Sequence, residues 1–271
     1  RILTCEAEYA ANYVALLQRA QREGLTIEVV PSDASGALDL AALEATIDSD
    51  VGLIAMTWIP TNGGLVNPAA AVGAVARRHG VPYLLDACQA VGQMPVDVTE
   101  LGCDFLSATG RKFLRGPRGT GFLYVREEWL EGRGGQALEP AMIDHFGAPW
   151  VARDRYTLRD DARRFETWEN AYALRAGLGA AFDYTESIGI DAIEARVRHL
   201  ADHCRTLLGA NDRIQVRDLG HRQCGIVSFS ADGSDARRLA SQMADAGFAI
   251  GASDPASTRI DSERRGLPAL I

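Results

Sequence analysis

The sequence predicts an α/β fold, with a mostly parallel sheet in a large domain and a small α+β domain after it. Three observations predict this architecture. Near-continuous apolar runs alternate with helical segments in the first half of the chain, a pattern typical of parallel strands covered on both faces. A polar, loop-rich connection spans residues 131–164 and leads into a long helical pattern. A second mixture of strands and helices fills the remainder.

The elements of the first half follow from apolar periodicity and from breaker residues. A short apolar run at 1–5 precedes a helical pattern at 12–23 that ends at Gly24. The apolar run at 51–57 predicts a buried strand, because it leads into Pro-Thr-Asn-Gly-Gly at 60–64. The same reasoning predicts strands at 25–30, 82–85, 103–107 and 121–125, and helices at 40–47 and 67–78.

The second half divides into a long linking helix at 165–188 and a small C-terminal domain at 189–271. Within that domain we predict helices at 191–208 and 235–246, and strands at 214–216, 225–229 and near 248–250. The large domain then covers residues 1–164. Because the chain opens on Arg1 inside an apolar stretch, without an initiator Met, we expect it to be part of a longer protein.

Composition places the chain among globular proteins. Hydrophobic residues make up 47% and charged residues 24%, and no apolar stretch approaches the ~18 residues of a membrane span. A net charge of -8 argues against nucleic acid or an anionic membrane as the main partner. Five scattered cysteines without a CxxC pair suggest reduced thiols and a cytoplasmic location. His199 and His203 lack a third convincing ligand, so no metal site is predicted.

The chain contains 27 arginines and a single lysine, Lys112. Lysine can lose its proton when buried and attack a carbonyl, whereas a guanidinium stays charged and is a poor nucleophile. Two interpretations are open from this residue alone. Lys112 is a surface residue kept by drift, or it is a catalytic, Schiff-base lysine. The neighbouring residues in the sequence are needed to choose between these two interpretations.

Polar residues follow several of the predicted strands. In an open α/β sheet, ligands bind beyond the carboxyl ends of the strands. Asp86, Gln89 and Lys112 all lie just past predicted strand ends, as does the loop 61–64. Alone, Asp86 could merely cap a helix. The order Asp-x-x-Gln, with a lysine about two dozen residues later, is much more specific and predicts a site at this edge.

The motifs around these residues resemble the class V aminotransferase family, fold-type I enzymes that depend on pyridoxal phosphate (PLP). The resemblance rests on Leu84–Gly92 (LLDACQAVG), Thr109–Lys112 (TGRK) and Gly116–Val125 (GPRGTGFLYV), and it extends over nearly the whole chain. Within the family, Glu8–Tyr9, Pro60–Pro68 and Arg164–Glu169 are most similar to ergothioneine-pathway C–S lyases (hercynylcysteine sulfoxide lyase-like proteins), with isopenicillin N epimerase-like proteins also close.

This resemblance implies a PLP-binding large domain with named contacts to the cofactor. Lys112 matches the lysine that binds PLP covalently and also removes the Cα proton of the substrate. Asp86 matches the partner of the protonated pyridine nitrogen, and it makes the ring an electron sink. Gln89 matches the donor to the phenolic oxygen of the cofactor.

Four further residues are implied as cofactor contacts. Tyr9 occupies the position of a histidine that stacks on the pyridine ring in desulfurases. Thr109 and Arg111 match the serine and histidine that bind the cofactor phosphate, and Arg111 could do so with a bidentate fork. Thr61 replaces an asparagine that is usual near the cofactor oxygen. For each of the four, capping or loop geometry is the alternative.

The predicted reaction depends on one difference between this chain and cysteine desulfurases. Desulfurases need a nucleophilic cysteine in the region that corresponds to residues 251–266, and that region contains none. We therefore predict β-elimination at the C–S bond of a cysteine (sulfoxide) conjugate, giving pyruvate and ammonia. An aminotransferase or an amino-acid epimerase of the same family is the alternative, and a truncated, non-catalytic PLP-fold module is another.

The resemblance also implies what lies outside the chain. Family members of this type are homodimers, so we expect a homodimer that acts on a small amino-acid substrate. The first phosphate-binding loop is expected before Arg1. The arginine that binds the substrate carboxylate is expected after Ile271. On this interpretation, both domains are missing a terminal part.

Overall fold

The computed structural model describes residues 1–132 and 137–271, and a six-stranded sheet lies at its centre. The strands are β1 (Ile2–Cys5), β2 (Ile27–Val30), β3 (Leu53–Thr57), β4 (Tyr83–Asp86), β5 (Phe105–Thr109) and β6 (Gly121–Val125). Their order in the sheet is β2-β1-β3-β4-β5-β6. All neighbours are parallel except β5 and β6, which are antiparallel. The predicted α/β fold with a mostly parallel sheet is therefore confirmed.

Helices connect these strands and begin and end at recognisable signals. They are α1 (Ala10–Glu23), α2 (Leu40–Thr46), α3 (Ala69–His79), α4 (Val98–Leu101) and α5 (Glu127–Glu131). The Asp39 side chain accepts bonds from two free N–H groups at the start of α2. Gly24 and Gly80 end α1 and α3 in the left-handed conformation that glycine adopts without a steric penalty.

The core forms where these helices pack on the sheet. Leu3, Ile54, Leu85 and Leu106 come from four adjacent strands, and each is at most 1% exposed. Because these side chains have lost nearly all contact with water, their burial is a main source of the free energy of folding, at roughly 1.5–3 kcal/mol per large apolar side chain. The sheet is thereby held rigidly, and so are the strand ends that carry the candidate site.

The C-terminal part begins with a hairpin, β7 (Trp150–Ala152) and β8 (Arg155–Tyr156). A short 3-10 helix (Ala162–Phe165) follows, and then come α6 (Tyr172–Ile188) and α7 (Ile190–Gly209). The rest comprises β9 (Ile214–Val216), β10 (Phe229–Ala231), α8 (Ala236–Asp245), a second 3-10 helix (Pro255–Thr258) and α9 (Arg259–Arg265), with β9 and β10 antiparallel. No helix in the described ranges is long and apolar enough to cross a membrane.

The predicted helix 165–188 is wrong at its start, because α6 begins only at Tyr172. Residues before it bond to distant partners instead of to the next helical turn. The backbone N–H of Trp168 donates to Asp144 Oδ2 at 2.7 Å, and Glu166 pairs with Arg175 at 3.0 Å. These bonds hold the segment outside the helix.

Two predicted strands of the C-terminal part are also corrected. The predicted strand 225–229 begins only at Phe229, since the N–H of Gly225 donates to the side chain of Gln93 instead of to a neighbouring strand. The segment near 248–250 is not a strand. Its Phe248 N–H bonds back to Met243 O at 2.8 Å and closes the end of α8. The division into 1–164, 165–188 and 189–271 stays a prediction.

Candidate active site at the ends of the parallel strands

The residues predicted to form the site come from four adjacent strands. Tyr9 follows β1, Thr61 follows β3, Asp86 is the last residue of β4 and Lys112 follows β5. These strands are consecutive neighbours in the sheet, so their carboxyl ends lie side by side. The fold thus places at one edge the residues that lie far apart in the sequence.

Both carboxylate oxygens of Asp86 are held by donors. The backbone N–H of Cys88 donates to Oδ1 at 2.8 Å, and the Asn12 amide donates to Oδ2 at 2.7 Å. Each oxygen keeps acceptor capacity, because a carboxylate offers about four lone-pair sites. Asp86 is therefore a fixed acceptor that can still bind one more donor.

Lys112 is partly buried, and its Nζ lies 5.7 Å from the centroid of the Tyr9 ring. Burial lowers the pKa of Lys112 below its usual value. The charge of Arg111 lowers that pKa further, while Cys88 and Asp86 oppose the shift. A lysine with a lowered pKa releases its proton more easily, which is what a nucleophilic or basic amine requires.

Cys88 lies between Asp86 and Lys112 but is not an activated thiol. Burial, followed by the charge of Asp86 and a hydrogen bond to it, raises the pKa of Cys88 to about 12. At neutral pH the sulfur is therefore protonated, and a protonated thiol is a poor nucleophile.

Gln89 and Thr61 meet beside Lys112. Gln89 Nε2 donates to Thr61 Oγ1 at 3.4 Å. These two residues and Lys112 line an open cavity of about 540 Å³, whose apolar wall includes Phe113 and Ile226. A polar group presented to this cavity would meet an amide, a hydroxyl and an amine together.

The turn that carries Gln89 is tied to the C-terminal part of the chain. Gln93 is 1% exposed, and its Nε2 donates to the carbonyl of Gln89. Its Oε1 accepts from the N–H of Gly225 at 3.0 Å. One buried side chain therefore links the site to a segment that is distant in sequence.

Thr109 and Arg111 flank the lysine at the end of β5. The Thr109 hydroxyl donates to the carbonyl of Thr120 at 3.4 Å, and Arg111 is exposed. Arg111 is close enough to affect Lys112 electrostatically. Their predicted role in binding a phosphate group stays a prediction.

The sequence did not predict a role in the site for Asn12 or Glu8. Glu8 is 4% exposed and accepts hydrogen bonds from Thr4, Tyr9, Asn12 and Thr57. Burial raises the pKa of Glu8, and these donors act in the opposite direction. A glutamate directly before Tyr9 was visible in the sequence, but its contact with β3 depends on the sheet.

The side chains present fit a PLP molecule. Its pyridine nitrogen needs an anionic partner, which Asp86 offers, and its aldehyde carbon needs an amine, which Lys112 offers. The Tyr9 ring offers an aromatic surface 5.7 Å from that amine, and the Gln89 amide offers a donor for a phenolic oxygen. Within the described residues, no cluster of three or more His, Cys, Asp and Glu could hold a metal ion.

Comparison with known proteins agrees with this fit. A family model described as "Aminotransferase class-V" matches residues 1–261. The chain belongs to the class-V aminotransferase family. Enzymes of this family depend on PLP, so the predicted family, the fold-type I architecture and the cofactor are confirmed.

Curated relatives of this class-V aminotransferase family member include cysteine desulfurases. One from Dickeya dadantii is 34% identical and aligns with 99% of this chain and 64% of its own length. A probable cysteine desulfurase of Methanothermobacter thermautotrophicus is 32% identical, with coverages of 86% and 57%. The chain thus spans about 57% to 64% of the length of these relatives.

Solved structures share the fold. The apo cysteine desulfurase of Thermococcus onnurineus NA1 superposes with a TM-score of 0.88 at 26% identity, and covers 99% of this chain and 66% of its own. A cystine C–S lyase bound to cysteine persulfide gives a TM-score of 0.82 at 23% identity, with coverages of 99% and 69%. At that identity the second likeness shows the fold alone. The finer resemblance to ergothioneine-pathway lyases and epimerases stays a prediction.

Proposed function

We propose that the full-length protein uses PLP to cleave the C–S bond of a cysteine conjugate, including a sulfoxide, by β-elimination. The observation that carries this proposal is the partly buried Lys112, next to the Tyr9 ring and near the fixed Asp86 carboxylate. An amine with a lowered pKa, close to an electron-withdrawing cofactor, is suited to remove a Cα proton.

The cofactor would be held by residues of this chain. Asp86 would keep the proton on its ring nitrogen, Gln89 would donate to its phenolic oxygen and Tyr9 would cover one face of the ring. Arg111 and Thr109 would contact the phosphate. When bound, PLP supplies an electron sink for the charge that develops at the substrate Cα. Lys112 Nζ would take the Cα proton, and the cavity beside it would receive the substrate.

The elimination balances without an oxidant or reductant. The Cα proton moves to Lys112 as the Cβ–S bond breaks, and sulfur leaves with the bonding electrons as a thiolate, or as a sulfenate from a sulfoxide. The unsaturated amino acid released from the enzyme reacts with water and gives pyruvate and ammonium. A proton donated to the departing sulfur completes the cycle.

Cysteine desulfurase is the second candidate, because relatives at 32% and 34% identity carry that name. The cysteines of this chain favour elimination instead. Cys5, Cys103 and Cys224 are buried, and the pKa of Cys88 is raised to about 12. None of the five cysteines lies in residues 251–266, where a desulfurase carries its nucleophile.

The test is a product analysis of the full-length holoenzyme with L-cysteine and with S-substituted cysteine sulfoxides. Elimination predicts equal amounts of pyruvate and ammonium from the conjugates, with Lys112→Ala inactive as the control. Alanine and a persulfide from L-cysteine would assign desulfuration instead. A keto acid that retains its sulfur would indicate transamination, and an inverted Cα would indicate an epimerase. A wild-type protein that stays colourless with added PLP would make the chain a non-catalytic module.

The oligomeric state, the location and the domain division are part of the same proposal. We propose a homodimer in the cytoplasm, supported by the family resemblance and by the five free cysteines. We also keep the division into a large PLP-binding domain (1–164), a link through α6 and a small C-terminal domain (189–271). Light scattering of the full-length protein would test the dimer, and limited proteolysis would test the domain boundaries.

A further inference from the structure

The Asn12 amide bridges two carboxylates. Its Nδ2 donates to Asp86 Oδ2 at 2.7 Å and to Glu8 Oε1 at 3.0 Å. An amide nitrogen carries two hydrogens, so both are used. The opposite orientation would point the amide oxygen at two carboxylates, with no hydrogen between them. The orientation of Asn12 is therefore determined by its neighbours.

Glu8 is in turn fixed by the sheet. Thr4 Oγ1 in β1 donates to Oε2 at 3.0 Å, and the Thr57 N–H in β3 donates to the same oxygen at 3.0 Å. The Thr57 hydroxyl and the N–H of Tyr9 donate to Oε1. At 4% exposure, Glu8 has almost no contact with solvent. A buried carboxylate with this many donors has little freedom to rotate.

We propose that Asn12 is a positioning residue that holds the Asp86 carboxylate correctly oriented for the ring nitrogen of PLP, and that Glu8 fixes Asn12 in place. The inference rests on the proposed role of Asp86. The backbone N–H of Cys88 also donates to this carboxylate, and that bond cannot be removed by substitution. The bond from Asn12 comes from a side chain and can be removed by substitution. Removing it leaves Asp86 Oδ2 without this donor and the carboxylate freer to rotate.

The experiment compares two near-isosteric substitutions in the full-length protein, each of which removes one hydrogen bond to Glu8. Asn12→Leu also removes the bond to Asp86, whereas Thr4→Val leaves that bond intact. Titration of the apoenzyme with PLP, followed by absorbance, gives the dissociation constant. The pH at which the absorbance band of the bound cofactor shifts is the second readout, and thermal melting of the apoenzyme reports stability.

For Asn12→Leu we expect a dissociation constant about 10-fold or more above wild type, as a lost bond to a charged group implies, and a moved pH midpoint. For Thr4→Val we expect lower stability, a dissociation constant within about twofold of wild type and an unmoved midpoint. Equal effects of the two variants on PLP would overturn the inference. Asn12→Ser is the second variant if Asn12→Leu does not fold, with the same expected direction.

The Asp86→Asn variant tests the proposed role of Asp86 separately from the role of Asn12. If Asp86→Asn binds PLP as wild type does, the role assigned to Asp86 is wrong, and the role of Asn12 fails with it. If Asp86→Asn weakens binding but Asn12→Leu and Asn12→Ser do not, only the role of Asn12 is wrong.

Discussion

Replacing Gly92 with alanine should disturb the backbone that carries Lys112. Gly92 follows the turn of Gln89 and has a φ of 89°. A Cβ at this position would lie 2.3 Å from the backbone nitrogen of Leu114 and 2.5 Å from the carbonyl carbon of Phe113. Both atoms belong to the two residues directly after Lys112, so the clash falls on the segment that positions the amine.

The expected loss of folding free energy in Gly92→Ala has two parts. A left-handed conformation costs an alanine roughly 1–2 kcal/mol. The steric overlap requires backbone to move, and overpacking of this kind costs about 1–3 kcal/mol more. Gly247 supplies the matched control, since its φ is 88° and a Cβ there would meet nothing within 4 Å. The difference between Gly92→Ala and Gly247→Ala therefore isolates the steric part.

Urea unfolding of both variants, together with PLP titration, is the assay. We expect Gly92→Ala to lower the free energy of unfolding by about 1–3 kcal/mol more than Gly247→Ala does. We also expect activity to fall for Gly92→Ala alone, because a displacement of about 1 Å in a catalytic group can cost roughly 100-fold in rate. Equal destabilisation by the two substitutions would refute the argument from close approach.

Three further predictions use other groups of the site. Lys112→Met should stabilise the apoprotein at neutral pH. Burial lowers the pKa of Lys112 in the folded state, so folding with a charged Lys112 costs free energy. This cost is present in full below the folded-state pKa and disappears as pH rises through 10.5, the ordinary value. A gain in melting temperature for Lys112→Met that did not shrink at high pH would contradict this prediction. Iodoacetamide at pH 8 should modify the exposed Cys204 before Cys88, because the pKa of Cys88 is about 12. Mass spectrometry of the digested protein measures the order of modification, and the reverse order would show that Cys88 is activated. Gln93→Leu should lower the free energy of unfolding by about 1–3 kcal/mol, because it leaves the partly buried Gly225 N–H and Gln89 carbonyl without this partner. A loss below about 0.5 kcal/mol in urea unfolding would contradict this.

The central sheet and the position of the lysine were predictable because their signals are local. The run at 53–57 is apolar up to its last residue, Thr57, and is buried from Ile54 onward, as a strand covered on both faces must be. Asp86 and Lys112 stand where such runs end, and ligands bind at that edge of a parallel sheet. The location of the site could therefore be predicted from the positions of the strand ends alone.

The contacts that orient the site were not predictable, because they join distant segments. Asn12 and Asp86 are 74 residues apart in sequence, and nothing around Asn12 indicates a partner in β4. The start of α6 was placed too early for a similar reason. Trp168 lies in a helix-compatible sequence, yet its N–H bonds to Asp144, 24 residues earlier. Tertiary partners override local propensity at such positions.

That the site is built from β1, β3, β4 and β5 has a consequence for folding kinetics. Parallel pairings close long loops before any contact compensates their entropy, so such sheets form late and slowly. A slip of one residue in any of the four strands would turn its side chains to the opposite face. The binding pocket therefore cannot exist in a partly folded chain. During refolding, recovery of cofactor absorbance should lag behind the return of helical circular dichroism, which makes the cofactor a reporter of correct strand register.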